Sequence, residues 1–360
     1  MEKEHSSLIP VRVGITLGDV NGIGPEIVLK TLRDNRMQIE FTPVIFGSSK
    51  IISFYKKHLN FHEFNYQTCK HAGEIQLRKV NVVNVWNEEV AVEPGKSSET
   101  GGTYALKSLE AATKALADGQ IDVLVTAPFS KENVIKAGFE FPGHTEYLAK
   151  YSNVDDALMI LVSDRLRVAL VTTHIPVSEI SKSLTKAAIF NKLKAFENSL
   201  KKDFAIVRPK IAVLGLNPHA GENGKIGSEE HDVIIPAIQQ AKGDGILAFG
   251  PYAADGLFGS ESKNEFDGIL AMYHDQGLAG FKALAFDNGV NFTAGLPIVR
   301  TSPDHGTAFD IAGKNKASET SFRSAIYLAM DTFRNRKFVK SIAENPLIAR
   351  KLNHNDDRDE

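Results

Sequence analysis

The stretch Val11-Arg-Val-Gly-Ile-Thr-Leu17-Gly-Asp-Val-Asn-Gly-Ile-Gly-Pro-Glu26 decides the fold class of this chain. Its first part, up to Leu17, is an apolar run of strand length, and the glycine-rich segment after it predicts a tight turn. Proline suits the first position of a helix and glutamate suits its first turn, so Ile27–Leu32 is predicted to be helical. The glycine spacing is not the Gly-x-Gly-x-x-Gly of a Rossmann fingerprint, so the stretch predicts only a strand–turn–helix unit.

The same alternation of short apolar runs and helix-length segments continues along the 360 residues. It predicts an α/β fold with a largely parallel sheet, and the length predicts two domains. The loop Phe139–Thr145 and the stretch Asn288–Leu296 are the candidate domain hinges. The other predicted strands are Thr42–Phe46, Ile121–Ala127, Ala157–Val162, Arg167–Thr172, Lys210–Leu216, Ile246–Ala248 and Gly268–Met272, and the longer predicted helices are Thr103–Asp118 and Ser318–Phe333.

Composition excludes several classes of function. The formal net charge is -2 and no strongly basic block occurs, so nucleic acid is not an expected partner. The single cysteine, Cys69, excludes an internal disulfide and a cysteine-based zinc site, and it fits a reducing compartment. The polar start, Met1–Ser7, does not resemble a signal peptide, and no later run is long enough to span a membrane. We therefore expect a cytoplasmic protein without a membrane partner, whose polar tail, His354–Glu360, frays.

Three histidines, His174, His219 and His274, each lie just past the end of a predicted buried strand. In parallel α/β sheets the carboxyl ends of the strands converge on the ligand crevice, where three imidazoles would form a divalent-metal site. On pattern alone, three unrelated buried histidines with hydrogen-bond partners are an equal alternative. The polar and turn-rich residues that follow these strands favour the metal site. Asp275 could orient its neighbours there, and Asp255 is a further loop carboxylate, which could equally cap a turn.

A second group of residues is suited to binding an anion. His144 and Thr145 are predicted at the amino end of a helix, where they could donate to a phosphate or carboxylate, although Thr145 could simply cap that helix. Lys282, Asn291 and Arg300 follow in a glycine-rich segment, and a solvated surface position is the alternative for each of them. An arginine fork matches phosphate oxygens, whereas lysine acts as a point charge.

The segment His305-Gly-Thr-Ala-Phe-Asp310-Ile-Ala-Gly313-Lys314 resembles a loop of isocitrate and isopropylmalate dehydrogenases, His-Gly-Ser-Ala-Pro-Asp-Ile-Ala-Gly-Lys. That loop binds the adenosine part of NAD in those enzymes. The opening Gly-Asp-Val-Asn-Gly-Ile-Gly-Pro-Glu also resembles their Gly-Asp-Gly-Ile-Gly-Pro-Glu. The resemblance implies that NAD, or NADP, contacts His305, Gly306, Asp310 and Gly313.

Five further motifs are similar to those of the 4-hydroxythreonine-4-phosphate dehydrogenase family, in the same order, and the match runs from about Val11 to Met330. The first loop departs from the family, in which Gly-Glu-Pro-Ala-Gly is common. The five motifs are Pro-Gly-His144-Thr145-Glu, Thr-Thr-His174-Ile-Pro, Leu-Asn-Pro-His219-Ala-Gly-Glu, Met-Tyr-His274-Asp-Gln-Gly-Leu and Leu-Pro-Ile-Val-Arg300-Thr-Ser-Pro-Asp-His-Gly-Thr.

This family resemblance implies roles for the residues singled out above. His174, His219 and His274 would bind a divalent metal, with His274 supplied by the partner subunit of a homodimer. The sequence does not identify the metal, which would be zinc, cobalt or magnesium. Zinc and cobalt suit imidazole ligands, whereas magnesium prefers oxygen ligands. Asp255, Asp275 and Lys282 are the catalytic candidates. A small phosphorylated substrate would contact His144, Thr145, Lys282, Asn291 and Arg300.

The fold implied is the isopropylmalate-dehydrogenase type, with two α/β/α domains flanking a cleft. Residues 1–138 plus 291–360 would form a terminal domain with the NAD-binding loop. Residues 139–290 would form a central domain with the metal and dimer contacts. These boundaries are approximate.

The activity implied is oxidation of 4-phosphohydroxy-L-threonine to 2-amino-3-oxo-4-phosphooxybutanoate, which decarboxylates to 3-amino-2-oxopropyl phosphate in pyridoxal phosphate biosynthesis. A dehydrogenase of erythronate or threonate 4-phosphate is the alternative, because that branch shares the metal and phosphate motifs. A metal-dependent hydrolase would suit three histidines, but it has no use for an adenosine-binding loop. A sensor that binds the substrate but does not catalyse a reaction is a further alternative. The presence of all three histidines together with Lys282, Asn291 and Arg300 argues against it.

Overall fold

The computed structural model describes residues 9–155, 157–164 and 166–344. The start Met1–Ser7 and the tail His354–Glu360 lie outside these residues. Each strand and helix named above has a counterpart in the structure, with shifted ends. The α/β prediction is therefore confirmed. Among the described residues, no helix combines the length and the apolar character needed to cross a membrane.

The strands of the described residues form one twelve-stranded sheet. The strand Phe41–Gly47 is buried along its whole length, as expected of a parallel strand covered on both faces. The strands are β1 Val11–Thr16, β2 Phe41–Gly47, β3 Gln67–Cys69, β4 Asn81–Asn84, β5 Val123–Thr126, β6 Leu158–Val162, β7 Arg167–Leu170, β8 Lys210–Leu214, β9 Leu247–Tyr252, β10 Gly268–Ala271, β11 Val290–Ala294 and β12 Arg300–Pro303.

Several helices begin at a side chain that caps free backbone N–H groups. The Ser98 side chain accepts a hydrogen bond from the Gly101 N–H, and the Thr185 side chain accepts one from the Ala188 N–H. The α-helices are α1 Gly24–Leu32, α2 Met37–Glu40, α3 Ser49–His58, α4 Glu99–Ala117, α5 Lys131–Lys136, α6 His144–Tyr151, α7 Ile180–Ser183, α8 Lys186–Lys202, α9 Ile235–Gly243, α10 Ala254–Gly259, α11 His274–Ala285 and α12 Thr320–Glu344.

The strand order is β3-β4-β2-β1-β5-β12-β11-β6-β7-β10-β8-β9. Neighbours from β3 to β12 are parallel, and so are neighbours from β7 to β9. At the centre, β11 is antiparallel to both β12 and β6, and β6 is antiparallel to β7. The two flanks therefore run in opposite directions. The largely parallel sheet is as predicted, whereas the antiparallel centre was not indicated by the sequence pattern.

Apolar clusters cover both faces of both flanks, which gives the sheet α/β/α layering. One sheet continues through both predicted domains, and the division into residues 1–138 plus 291–360 and residues 139–290 stays a prediction. Of the two hinge candidates, Phe139–Thr145 contains the loop before α6, whereas Asn288–Leu296 contains β11 at the centre of the sheet.

Candidate active site

A cleft of about 320 Å³ lies where β5, β7 and β12 end and where α6 begins. Six residues predicted to bind the substrate or the metal contribute to the wall of this cleft. Two residues of the predicted NAD loop also contribute to it. The lining residues among those predicted are His144, Thr145, His174, Lys282, Asn291, Arg300, His305 and Gly306.

Arg300 is the most deeply buried charge in this cleft, with 3% of its surface exposed. Its guanidinium donates to the Thr126 hydroxyl at 3.1 and 2.7 Å, and to the Thr293 hydroxyl at 3.2 Å. Burial lowers the pKa of Arg300 to about 10. Within the described chain, no carboxylate forms an ion pair with this guanidinium. Glu146 raises the pKa of Arg300 only from beyond ion-pair distance, so the buried charge is partly compensated and favours an anionic ligand.

His144 begins α6 and its ring stacks on the Phe129 ring, with 3.9 Å between centroids and 21° between planes. Burial, and then the charges of Arg300 and Lys131, hold the pKa of His144 well below its usual range. The ring is therefore neutral, with one nitrogen that donates and one that accepts. The Thr145 hydroxyl lies 3.5 Å from the Thr293 hydroxyl, so both residues at the start of α6 face the Arg300 side of the cleft.

Lys282 and Asn291 approach the cleft from α11 and β11. The Lys282 ammonium lies 3.5 Å from the Asp304 carboxylate, whose pKa is raised by burial. The side-chain oxygen of Asn291 is buried and has no hydrogen-bond partner among the described residues. An unpaired buried acceptor is uncommon, and at a cleft wall it fits a group that receives a ligand.

His174 and His274 follow two neighbouring parallel strands, β7 and β10, and their ring centroids are 5.8 Å apart. Nδ1 of His274 lies 3.0 Å from Asp275, and Nδ1 of His174 lies 3.9 Å from Glu146. Burial is the main cause that lowers the pKa of His174, which favours the neutral ring that a metal requires. Across the described ranges, no group of three or more His, Cys, Asp or Glu side chains is placed to hold a metal ion.

His219 lies after β8 on an exposed turn whose backbone is left-handed. The residues at positions 219, 220, 222 and 223 all have positive φ although none is glycine. Each such residue costs roughly 1–2 kcal/mol relative to an ordinary conformation, so the turn must be held by other contacts. Glu230, 4% exposed, supplies them. Its carboxylate accepts from the backbone N–H groups of Leu216 and Asn217 at 2.7 Å each, and from the Asn217 side chain at 2.9 Å.

Replacing Glu230 with glutamine is expected to loosen this turn. One carboxylate oxygen would become an amide nitrogen that cannot accept, so a buried donor would lose its partner. We expect the free energy of unfolding to fall by about 2 kcal/mol, measured by urea denaturation. Glu222, an exposed carboxylate of the same turn, is the matched control, and Glu222→Gln should change stability by less than about 0.5 kcal/mol. Equal effects of the two variants would contradict this role of Glu230.

The two aspartates named as catalytic candidates lie apart from the cleft wall. Asp255 is exposed in the first turn of α10, and Asp275 is exposed beside His274. Neither side chain lines the cleft, whereas Lys282 does. The catalytic assignments of all three stay predictions.

The predicted NAD loop begins in the cleft wall and continues along α1. Nε2 of His305 is buried and has no partner among the described residues. A Cβ added at Gly306 would meet no atom within 4 Å, so this position leaves room for a ligand. At Gly313, where φ is +72°, a Cβ would lie 2.6 Å from Cβ of Pro94, so that glycine is required by packing. Asp310 is exposed.

Glu26, fully buried at the start of α1, joins the opening motif to this loop. Its carboxylate accepts from the backbone N–H groups of Gly313 and Ala317 at 3.0 Å each, and from the Lys30 ammonium at 3.0 Å. In addition, the Ile23 N–H donates to the Thr307 carbonyl at 2.9 Å. The two motifs that resemble isocitrate dehydrogenases are therefore in direct contact, although almost three hundred residues separate them.

The model of the family described as pyridoxal phosphate biosynthetic protein PdxA matches residues 40–329. The chain belongs to this family. A 4-hydroxythreonine-4-phosphate dehydrogenase from Bacteroides thetaiotaomicron is 51% identical over 350 residues, which is 97% of this chain and 96% of the relative. A relative from Oceanobacillus iheyensis is named "Putative D-threonate 4-phosphate dehydrogenase"; it is 39% identical over 89% of this chain and 97% of its own length.

The fold agrees with PdxA membership. The crystal structure of a 4-hydroxythreonine-4-phosphate dehydrogenase from Klebsiella pneumoniae superposes with a TM-score of 0.76 at 34% identity, over 90% of this chain and 99% of that one. The family resemblance drawn from the five motifs is thus confirmed, and so is the α/β fold class.

Several lining residues of the PdxA cleft were not singled out from the sequence, among them Lys131, Glu146 and Phe129. Lys131 follows Ser130, which caps α5, and its ammonium forms no ion pair with a carboxylate of the described chain. Glu146 lies in the same motif as His144, and the motif could have indicated it. Phe129 has no such signal, because its role depends on stacking against a ring of another element.

Proposed function

We propose that this PdxA-family chain catalyses the NAD-dependent oxidation of 4-phosphohydroxy-L-threonine. The observation that carries the proposal is the buried guanidinium of Arg300, which forms no ion pair with a carboxylate of the described residues. It lies in a cleft that also contains His144, Lys282 and the start of the His305 loop. Such a cleft favours a small substrate with anionic groups, next to a loop with the motif of an adenosine site. The names of its relatives support the same activity.

We propose that the phosphate and carboxylate groups of the substrate bind to the positively charged side chains of the cleft. Arg300 would take one anionic group in the dry part of the cleft, and Lys282 and Lys131 would attract the other. The free acceptor of Asn291 and the hydroxyl of Thr145 would receive and orient the polar groups between them. Orientation of this kind lowers the barrier by fixing the reacting carbon near the cofactor.

For the cofactor, the residues of the 305–313 loop fit a dinucleotide. The unpaired Nε2 of His305 and the open space at Gly306 favour a ligand at the cleft end of the loop. Asp310 presents an exposed carboxylate, which suits a ribose hydroxyl and would repel the additional phosphate of NADP, so we propose NAD. NAD, when bound, supplies the acceptor for the hydride that leaves the substrate.

For the metal, His174 and His274 are imidazoles of the kind that a divalent ion takes as ligands. The place of His174 in the cleft wall and its lowered pKa favour the neutral ring that a metal requires. His219 would be the third ligand, and we propose that His274 reaches a site shared with the partner subunit of a homodimer. Zinc or cobalt suits these imidazoles better than magnesium does. A divalent ion held there would act as a Lewis acid toward the substrate's hydroxyl oxygen.

Lys282 is the proposed acceptor of the hydroxyl proton, because it lines the cleft whereas Asp255 and Asp275 do not. Asp304, 3.5 Å away, would hold the ammonium that results from this transfer. The oxidised substrate carries a carbonyl beta to its carboxylate and readily loses carbon dioxide, giving 3-amino-2-oxopropyl phosphate. The single free cysteine, Cys69, fits our inference of a reducing, cytoplasmic location.

The proposal is tested by a substrate panel with purified protein. NADH formation is expected with NAD and 4-phosphohydroxy-L-threonine, with kcat/KM at least roughly tenfold higher than with NADP, because of the charge of Asp310. Erythronate and threonate 4-phosphates are the comparison substrates. Absence of nicotinamide reduction with every substrate would refute a dehydrogenase.

Dehydrogenation of a four-carbon phospho-sugar acid is the second candidate. The observation in its favour is the name of the Oceanobacillus iheyensis relative. A higher kcat/KM with threonate 4-phosphate than with the amino acid would replace the first proposal with this one.

A further inference from the structure

The segment 93–98, which we call the strap, leads into α4 and is held by one buried residue of the loop after β1. That residue is Asn21, which is 1% exposed. Its side-chain oxygen accepts from the Glu93 N–H at 2.9 Å, and its backbone carbonyl accepts from the Gly95 N–H at 2.8 Å. Its side-chain amide donates to the Ser98 hydroxyl at 3.0 Å. Both ends and the middle of the strap are therefore attached to Asn21.

The strap packs against the loop that is proposed to bind NAD. Gly95 has a φ of +91°, and a Cβ added there would lie 2.9 Å from the Phe309 carbonyl oxygen, so glycine is required for this approach. Cβ of Pro94 would lie 2.6 Å from a Cβ added at Gly313. The strap therefore meets the loop at two places, on either side of Asp310.

The part of the loop around Asp310 depends on packing for its conformation. Hydrogen bonds from the start of α1 reach the loop at Thr307 and at Gly313, on either side of this part. Between them, Ala308 has a φ of +40°, in the left-handed region that residues other than glycine rarely adopt. Such a conformation persists only where the surroundings hold it. A displaced strap would therefore let Asp310 move away from the ribose that it is proposed to bind.

We propose that Asn21 is a positioning residue for the cofactor, which holds the strap against the loop and thereby sets the affinity for the dinucleotide. This inference rests on the proposed function, because it assumes that residues 305–313 bind NAD. Alanine stands at the place of Asn21 in the Gly-Glu-Pro-Ala-Gly loop that is common in the family. The two side-chain hydrogen bonds to the strap are therefore not shared by members with that loop, and alanine should be tolerated here.

The direct test is Asn21→Ala, which removes the side-chain bonds to Glu93 and Ser98 and keeps the backbone bond to Gly95. Loss of two hydrogen bonds favours displaced positions of the loop, and apparent affinity falls with the fraction of competent molecules. We expect KM and Kd for NAD to rise roughly 5- to 30-fold. The values of kcat at saturating NAD and of KM for the phosphorylated substrate should change less than about twofold.

Two kinetic results would overturn the proposal. An unchanged KM for NAD in Asn21→Ala would show that the strap does not act on the cofactor. An equal rise of the KM for NAD and of the KM for the phosphorylated substrate would show a general loosening of the cleft instead of a specific effect on the loop.

Asn81→Ala is the matched control, because Asn81 is an equally buried asparagine that holds a different turn. Its side chain accepts from the Gln76 N–H at 2.8 Å and donates to the Lys79 carbonyl at 2.7 Å. It begins β4, at the amino edge of the parallel strands, whereas the loop that contains Asn21 follows the carboxyl end of β1. We expect Asn81→Ala to lower the melting temperature at least as much as Asn21→Ala, with KM for NAD unchanged. A similar rise of that KM in both variants would refute a specific role of Asn21.

Amide hydrogen exchange of the protein without cofactor tests the role of Asn21 independently of the proposed activity. Amides of the strap and of residues 305–313 should exchange at least roughly threefold faster in Asn21→Ala than in the wild type, and at the wild-type rate in Asn81→Ala. If calorimetry shows that the wild type binds no NAD while this difference is present, the cofactor assignment is wrong and the loop-holding role of Asn21 stands. Unchanged exchange in both segments would overturn that role even where NAD binds.

Discussion

Arg300→Met is expected to lower catalytic efficiency severely and at the same time to stabilise the folded protein. The buried guanidinium has hydroxyl partners but no carboxylate, so the empty protein bears the cost of its desolvation. Loss of its contact with an anionic substrate group should lower kcat/KM by roughly 10³-fold, which corresponds to about 4 kcal/mol. Methionine fills a similar volume without charge, so the free energy of unfolding should rise by about 1–2 kcal/mol. Steady-state kinetics and urea denaturation measure the two effects.

Arg336 is the matched control, because its side chain is largely covered, with 11% exposed, but is paired. Its guanidinium lies 2.6 Å from Asp203 and donates to the carbonyls of Pro297 and Ile298. Arg336→Met would leave the Asp203 carboxylate buried without its charged partner, although the Ser199 hydroxyl would still donate to it. We therefore expect about 3–5 kcal/mol of destabilisation with little effect on KM. Lower stability of Arg300→Met together with wild-type turnover would show that Arg300 is structural.

The approximate ends of the strands could be predicted, because the residues that mark a strand end are neighbours in the sequence. An apolar run followed by a polar or turn-rich segment indicates where a buried strand ends, and parallel strands bring such ends to one edge. This reasoning placed His174 and His274 near one another, and their rings are 5.8 Å apart. Arg300 was placed as an anion-binding candidate, although it lies at the start of β12 instead of after a strand.

The features that could not be predicted depend on contacts between distant parts of the chain. Glu26 fits a helical first turn in any α/β protein, and nothing near it in sequence indicates the Gly313 and Ala317 N–H groups that it binds. The left-handed turn at His219 is held by the buried Glu230, and no local sequence pattern indicates which backbone N–H groups that carboxylate binds. The antiparallel centre of the sheet depends on which strands pair with β6 and β11. The spacing of hydrophobic residues within one strand does not indicate its neighbour or its direction.

His274→Ala is expected to remove divalent-metal binding as well as activity. Loss of a ligand should weaken binding of zinc or cobalt by at least roughly 100-fold, measured by equilibrium dialysis, and chelation of the wild type should likewise stop NADH formation. His231 offers a matched control, because its Nδ1 lies 3.0 Å from Asp232 just as Nδ1 of His274 lies 3.0 Å from Asp275. We expect His231→Ala to bind the metal as the wild type does. We expect no metal binding by His274→Ala in the same assay.

The same variant decides which subunit supplies His274, since within one chain it already lies beside His174. Refolding His274→Ala together with Arg300→Met produces hybrid dimers. If His274 crosses to the partner's site, one site of each hybrid carries both defects and the other carries neither, so activity should return to about a quarter of the wild-type value. If His274 serves its own chain, each site keeps one defect and the mixture stays inactive. Recovery therefore requires a shared site, and its absence in a mixture shown to contain hybrids would assign His174 and His274 to one subunit.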